Sequence, residues 1–426
     1  SKVLHFEKSY LAILALSPTI FITAVASAYR GYFQGRGNMT YTAISQVLEQ
    51  ITNVIFTLLF AVLLMRYGVE AACAGGTVGT SLGALAAMIF MIFIFYKNRK
   101  SIIPKNKVKT DVKRYPYKEL AKKIIHYSIP ITISVGATYA GNLVDMANTK
   151  IRLMAGGYAE DTATILYGFL TKYQQLMNVP VSIVAALAAA VLPSLSGSMA
   201  LNDKEQFEKK LRYALRLCVF VVIPSAVGFS ILSEPIYSFL KFGGGYELMK
   251  YGAAVLVFMS LVQIQTTILQ SAGLLYTATR NVIIGIIAKI ITNYFLISIP
   301  SINIYGAIIG SIVGFGVPLI LNTITIKRHL NVKIYLFKNT IKPIISSITM
   351  GIVVFIFYKI FYLLFNLFMG EYFSNVIAVV ISIIIGVATY MLSMIIFRGI
   401  SKDDLIEMPD KFKKFIPAKI YDRITN

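Results

Sequence analysis

Residues 51–53 of this chain, Ile-Thr-Asn, recur as residues 291–293, and each copy lies in an apolar stretch followed by Tyr-Gly and a glycine-rich stretch. The Tyr-Gly pairs are at 67–68 and 305–306, so the copies are about 238 positions apart. Internal duplication on this scale is typical of transporters whose two halves face each other across a central path. The repeat therefore predicts a carrier built from two related lobes.

The composition indicates a protein with many membrane spans. Hydrophobic residues make up 57% of the 426 residues, and the mean hydropathy is +0.70. A soluble domain of this length needs a more polar surface, so a soluble protein is excluded. Apolar runs that can cross roughly 30 Å of hydrocarbon need about 20 residues. Eleven such runs predict an all-α membrane protein, and they lie near 9–27, 41–65, 70–96, 124–148, 163–193, 213–232, 251–275, 281–299, 304–325, 341–366 and 374–397.

The two cysteines, Cys73 and Cys218, both fall inside apolar runs. We predict that they are small packed residues with no disulfide or metal role.

The loops between the predicted spans must alternate between the two sides of the membrane. With this alternation, most of the basic residues lie on one side. That side holds 31 of the 41 Lys and Arg residues. Because cytoplasmic loops collect Lys and Arg, we predict that this side, which includes the C-terminus, is cytoplasmic. The net charge of +22 then faces the anionic inner leaflet of the cell membrane, and nucleic acid is not expected as a partner.

The span count also gives an expectation about the N-terminus. This orientation places Ser1 outside the cell, and the first copy of the repeat has three spans where the second has six. We therefore expect three further spans before Ser1 and fourteen in total. The alternative is an eleven-span protein with an outside N-terminus.

Five regions follow from the positions of the spans and the charges. We predict a remnant of an N-terminal lobe, a basic cytoplasmic linker, a six-helix C-terminal lobe, two additional spans and a basic cytoplasmic tail, at 1–96, 97–123, 124–325, 326–397 and 398–426.

One segment between spans is amphipathic. Residues 203–215 place Phe207, Leu211 and Leu215 at helical spacing among charged residues. This pattern predicts either a helix on the inner membrane surface or an ordinary helix that links parts of the lobe.

Two rows of glycine recur at every fourth residue, which predicts smooth helix faces for close packing. They are Gly75, Gly79 and Gly83, and Gly306, Gly310 and Gly314.

Four ionisable residues lie within the apolar runs, where a charge usually faces a water-filled cavity. They are Glu49, Asp145, Lys172 and Lys289. Glu49 and Lys289 each come two residues before an Ile-Thr-Asn copy, so the repeat places opposite charges at similar depth. We predict that they pair across the lobes as an inner gate. The alternative is that each reaches the nearby inner interface.

Lys172 and its neighbours form a candidate anion site. Gln174, Gln175 and Asn178 lie on the same helix, and Gln175 and Asn178 follow Lys172 along one face. An ammonium with amides around it can hold a phosphate or pyrophosphate. The alternative is a structural pair with Asp145. In addition, Arg30 and Arg36 lie at the predicted inner mouth, where they attract an anionic head group or follow the positive-inside pattern.

Several segments resemble the bacterial lipid II flippase family. Residues 176–180, 191–196, 215–218 and 223–227 are similar to its eighth and ninth helices, and residues 30–35 and 142–148 resemble its polysaccharide-transporter branch more closely. The resemblance covers nearly the whole chain and starts at the fourth of fourteen family helices.

The resemblance implies a V-shaped exporter that alternates between inward- and outward-open states. Its cargo would be an undecaprenyl-pyrophosphate-linked sugar. The expected partners are therefore this lipid-linked oligosaccharide and membrane lipids. The protein itself is expected to be a monomer. Family members hold the pyrophosphate with arginines, one of which lies on the eighth helix. Gln175 occupies that position here, and we propose Lys172 as the substitute.

Two other functions fit the sequence less well. A multidrug or cation-coupled exporter of the same superfamily needs an acidic cluster, and the spans offer only Glu49 and Asp145. An enzyme needs a catalytic constellation, and the three histidines are far apart in sequence. We therefore expect no enzymatic activity, no cofactor and no metal.

Overall fold

In a computed structural model, which describes residues 10–102, 116–332, 336–397 and 399, these ranges form twelve α-helices and no strand. The predicted all-α class is confirmed. The helices are α1 (Tyr10–Gly35), α2 (Thr40–Leu64), α3 (Val69–Ile102), α4 (Tyr117–Ala155), α5 (Glu160–Ala200), α6 (Lys204–Ile231), α7 (Ser233–Phe239), α8 (Tyr246–Ser271), α9 (Leu275–Leu296), α10 (Gly306–Leu330), α11 (Leu336–Asn366) and α12 (Glu371–Ile396).

Ten helices of the described ranges are long and apolar enough to cross a membrane. Each corresponds to one of the predicted runs. The remaining run, 124–148, lies within α4, which is long enough at 39 residues but less apolar than the others. The total of fourteen spans stays a prediction. The predicted tail lies outside the described residues apart from Gly399, as does the middle of the predicted linker, 103–115.

The chain divides into two compact units, residues 1–114 (unit 1) and 115–426 (unit 2). In unit 1, α3 packs along both α1 and α2. In unit 2, the strongly buried helix α8 packs against α5, α6 and α10, and α9 packs between α4 and α10. The two additional helices, α11 and α12, pack against each other and against α6 and α7.

Both glycine rows lie at close helix contacts, as predicted. A Cβ atom added to Gly83 would lie 2.6 Å from the carbonyl oxygen of Glu49 on α2. In unit 2, a Cβ atom added to Gly314 would lie 2.6 Å from Cβ of Lys289 on α9. In each unit, therefore, the glycine row packs on the helix that carries an Ile-Thr-Asn copy.

The apolar face of the segment 203–215 is buried against protein. The Asp203 side chain accepts a hydrogen bond from the backbone nitrogen of Gln206 at 3.0 Å and starts α6, which continues into the apolar run. Phe207, Leu211 and Leu215 are buried in the core of unit 2. Of the two alternatives, the structure favours an ordinary helix of the lobe, because neighbouring helices cover the apolar face.

The helix α7 and the exposure of Cys73 differ from the sequence predictions. The short helix α7 was not predicted, because its seven residues are too few to show a period. Cys218 is buried as predicted, whereas Cys73 is exposed.

Candidate functional site

A buried charged cluster joins α4 to α9 in unit 2. Asp145 forms an ion pair with Lys289, and the two side chains are only 11% and 14% exposed. One turn after Lys289, the Asn293 side-chain nitrogen donates to Asp145 Oδ1 at 2.9 Å. The carboxylate is thus paired and hydrogen-bonded, as a buried charge has to be. Asp145 was predicted as a site residue, but the alternative ion pair expected for it was with Lys172.

The glycine row of α10 supports this cluster from the side. A Cβ atom at Gly310 would overlap Oδ1 of Asn293, and one at Gly314 would press on Lys289. The small side of α10 thus leaves room for the two α9 residues that hold Asp145. The close contact between α9 and α10 therefore also positions the two side chains that hold Asp145.

Gly310→Ala is expected to destabilise the protein by about 1–3 kcal/mol, because an overpacked contact forces neighbours to shift. The displaced group would be the Asn293 amide, so the cluster would loosen as well. Thermal unfolding in detergent measures the effect. Gly316→Ala is the matched control on the same helix, because no atom lies within 4 Å of its added Cβ. Equal melting temperatures for the two variants would contradict this interpretation.

A second ion pair with little exposure lies in unit 1, between α1 and α2. Arg30 Nη2 on α1 is 2.6 Å from Glu49 Oε2 on α2, and Arg30 Nε donates to Ser45 Oγ at 2.9 Å. Both charged side chains are largely buried, at 17% and 22% exposure. Arg30 is therefore part of a helix contact in addition to any role toward an anion.

The predicted gate residues thus each have a partner within their own unit. Glu49 lies nine residues after Thr40, where α2 begins, and Lys289 lies fourteen residues after Leu275, where α9 begins. α9 thus starts earlier in the repeat than α2 does, and the similar depth of the two residues stays a prediction. The pairing of Glu49 with Lys289 as a gate stays a prediction.

The candidate anion site on α5 is only partly assembled. Lys172 is half-buried, and its ammonium donates to the carbonyl oxygen of Phe242 at 2.6 Å. It also lies 5.7 Å and 5.6 Å from the ring centres of Phe169 and Phe242. The alternative pair with Asp145 is not formed, because Asp145 pairs with Lys289.

The three amide residues of the candidate anion site are exposed, in contrast to Lys172. Gln174, Gln175 and Asn178 lie on the open face of α5, near the middle of its apolar run. Arg36, the other predicted cation, is placed beside Tyr32, whose hydroxyl accepts a hydrogen bond from Arg36 Nη1 at 3.2 Å.

Neutral polar residues inside the helices were missed from the sequence. Asn281 on α9 donates to Asn322 Oδ1 on α10 at 2.9 Å, and Gln265 on α8 donates to Thr323 Oγ1 at 2.9 Å. Asn293 belongs to the repeat but was not predicted as a site residue. These residues are Asn or Gln within apolar runs, whereas the sequence predictions used amides only where they lie beside Lys172.

Comparison with known proteins supports the resemblance described above. Residues 5–199 match the family described as "Polysaccharide biosynthesis protein". The chain is 27% identical over 420 residues to stage V sporulation protein B of Bacillus subtilis, which covers 95% of this chain and 76% of that protein. It is 26% identical over 351 residues to the lipid II flippase MurJ of Bacillus subtilis, covering 80% of this chain and 64% of that protein.

Solved structures share the fold. The lipid II flippase MurJ in an inward closed conformation matches 91% of this chain and 73% of its own, with a TM-score of 0.56 and 18% identity. A MATE structure in a bent conformation matches 78% of this chain and 70% of its own, with a TM-score of 0.58 and 16% identity. At these identities the likeness concerns the fold alone.

Proposed function

We propose that this chain moves an undecaprenyl-pyrophosphate-linked sugar across the cell membrane, because it is similar to stage V sporulation protein B and to the lipid II flippase MurJ over most of its length. The transport would use alternating access. The relative MurJ is a flippase and not an enzyme. The C-terminus would lie in the cytoplasm, as the distribution of basic residues predicts.

The observation that carries this proposal is the exposed polar face of α5. Gln174, Gln175 and Asn178 are exposed near the middle of a helix that is apolar enough to span a membrane. Polar side chains at such a depth face a water-filled cavity or the interior of a helix bundle, because lipid cannot satisfy their hydrogen bonds. This face would therefore line the path of a hydrophilic head group.

Lys172 would supply the charge for that path. Its ammonium now donates to the Phe242 carbonyl, and a pyrophosphate oxygen would be a stronger acceptor because the hydrogen bond joins opposite charges. Arg30 and Arg36 would attract the anion at the inner mouth. An inside-negative membrane potential favours outward movement of an anion by roughly 2.3 kcal/mol per charge per 100 mV.

The test is a head-group accessibility assay on the full-length protein in liposomes. We expect an undecaprenyl-pyrophosphate-linked sugar to reach the opposite leaflet only when the protein is present. Retention of the lipid, together with transport of a cationic dye, would overturn the proposal and favour the multidrug or cation-coupled alternative.

Lys172→Ala is expected to reduce flipping about tenfold or more, because a hydrogen bond to a charged group contributes on the order of 1.5–3 kcal/mol. The assay above measures the rate. Lys241→Ala is the matched control, because Lys241 is an exposed lysine that does not belong to α5. Its ammonium lies over the Tyr372 ring. Equal rates for the two variants would remove Lys172 from the path.

A further inference from the structure

A cavity lies at the end of unit 2 where α6 ends and α8 begins. It has a volume of about 750 Å³ and is enclosed by α7 and by the adjoining ends of α11 and α12. Four of its lining residues are charged, two negative and two positive: Glu234, Glu371, Lys250 and Lys359. We call it the polar cavity. None of these residues belongs to the site described above.

The charged residues of the polar cavity are exposed and are not paired with one another. All four residues are exposed, and no ion pair joins any two of them in the described part of the chain. They come from four different helices, α7, α8, α11 and α12. Opposite charges held apart on separate helices are suited to a ligand that carries both an anion and a cation.

Hydrogen bonds hold the walls of the polar cavity in place. The buried Asn375 on α12 donates to the backbone oxygen of Pro235 on α7 at 3.0 Å, and it accepts from the Tyr358 hydroxyl on α11 at 2.9 Å. The Tyr362 hydroxyl lies 3.4 Å from Glu371 Oε1. The carboxylates are therefore carried by elements that are fixed to one another, which favours a preformed site.

An apolar groove of about 880 Å³ adjoins the polar cavity. Residues of α6, α8, α10 and α11 line it, and most of them are apolar. Ser230 and Lys250 line both the groove and the polar cavity, and the Ser230 hydroxyl donates to the Lys250 carbonyl at 2.8 Å. The two spaces thus meet at these residues and together form an amphipathic site.

We propose that this amphipathic site binds a zwitterionic phospholipid whose head group carries a primary ammonium. Lys250 and Lys359 would hold the phosphate, and Glu234 and Glu371 would hold the ammonium through charge-assisted hydrogen bonds. An acyl chain would fill the apolar groove. Charge complementarity selects this occupant. A purely anionic lipid or a pyrophosphate could bind the two lysines, but it has no positive group of its own to bind the two carboxylates.

The test is lipid binding to the purified full chain, measured by native mass spectrometry with lipids of the same acyl chains. Phosphatidylethanolamine is expected to bind about tenfold more tightly than phosphatidylglycerol, because only the former has an ammonium. Glu234→Gln with Glu371→Gln should abolish this preference. Lys250→Gln with Lys359→Gln should weaken the binding of both lipids.

Two further arms distinguish a lipid from a soluble ligand. Ala254→Phe narrows the groove, so it should weaken phosphatidylethanolamine binding, and free phosphoethanolamine should bind far more weakly than the lipid. Glu160→Gln is the control, because this exposed carboxylate pairs with Lys150 outside the cavity. Equal affinity of the unaltered protein for the two lipids, or equal binding of free phosphoethanolamine, would overturn the proposal whatever the variants do.

Discussion

Replacing Asp145 by alanine is expected to lower the free energy of unfolding by about 3–5 kcal/mol, the range seen when one partner of a buried ion pair is removed. Lys289 would keep its charge in a place where its side chain is only 14% exposed. The Asn293 amide would also lose the acceptor that it now reaches at 2.9 Å. Unfolding in mixed detergent micelles measures the difference.

A control and a rescue make this prediction specific. Lys150 and Glu160 form an exposed pair, 37% and 66% accessible, and Lys150→Ala should change stability by less than about 1 kcal/mol. Replacing Asp145 and Lys289 together by leucine should restore most of the loss, because no unpaired charge remains. If Asp145→Ala were as mild as Lys150→Ala, the cluster would not hold α4 and α9 together.

Reversing the charge of Glu49 is expected to reduce flipping at least about tenfold, because two cations would then meet between α1 and α2. Arg30 Nη2 lies 2.6 Å from the carboxylate, so Arg30→Glu combined with Glu49→Arg should restore most of the activity. The head-group accessibility assay measures the rate, and protein levels in the membrane control for folding.

The same series tests the gate predicted from the repeat. If Glu49 and Lys289 pair with each other during transport, Glu49→Lys should be rescued by Lys289→Glu. We expect the larger rescue from the Arg30 exchange, because that partner is already in place. A better rescue by Lys289→Glu would favour the gate.

The sequence predicted the helices and the unusual charges but not the partners of those charges. Glu49, Asp145 and Lys289 were selected because charge is rare in lipid, and all three are paired in the structure. The Asp145–Lys289 pair joins residues 144 positions apart. Their contact depends on how α4 packs on α9, which no local pattern encodes.

Helix packing explains the other differences. The glycine rows were correctly predicted to be contact faces, since small residues have a local signature. The face of Phe207 and Leu211 was recognised as apolar, but whether lipid or protein covers such a face depends on neighbours far away in sequence. The polar cavity escaped detection because its charges come from four helices.

Cysteine accessibility at Gln175 tests the central claim, that the polar face of α5 lines a water-filled path. In a protein with Cys73 and Cys218 replaced by alanine, Gln175→Cys should react with a charged, water-soluble maleimide in intact membranes. Ile384→Cys is the control, because Ile384 is 64% exposed in the apolar helix α12, and it should stay unlabelled. An unreactive Gln175→Cys, or equal labelling at both positions, would contradict the account.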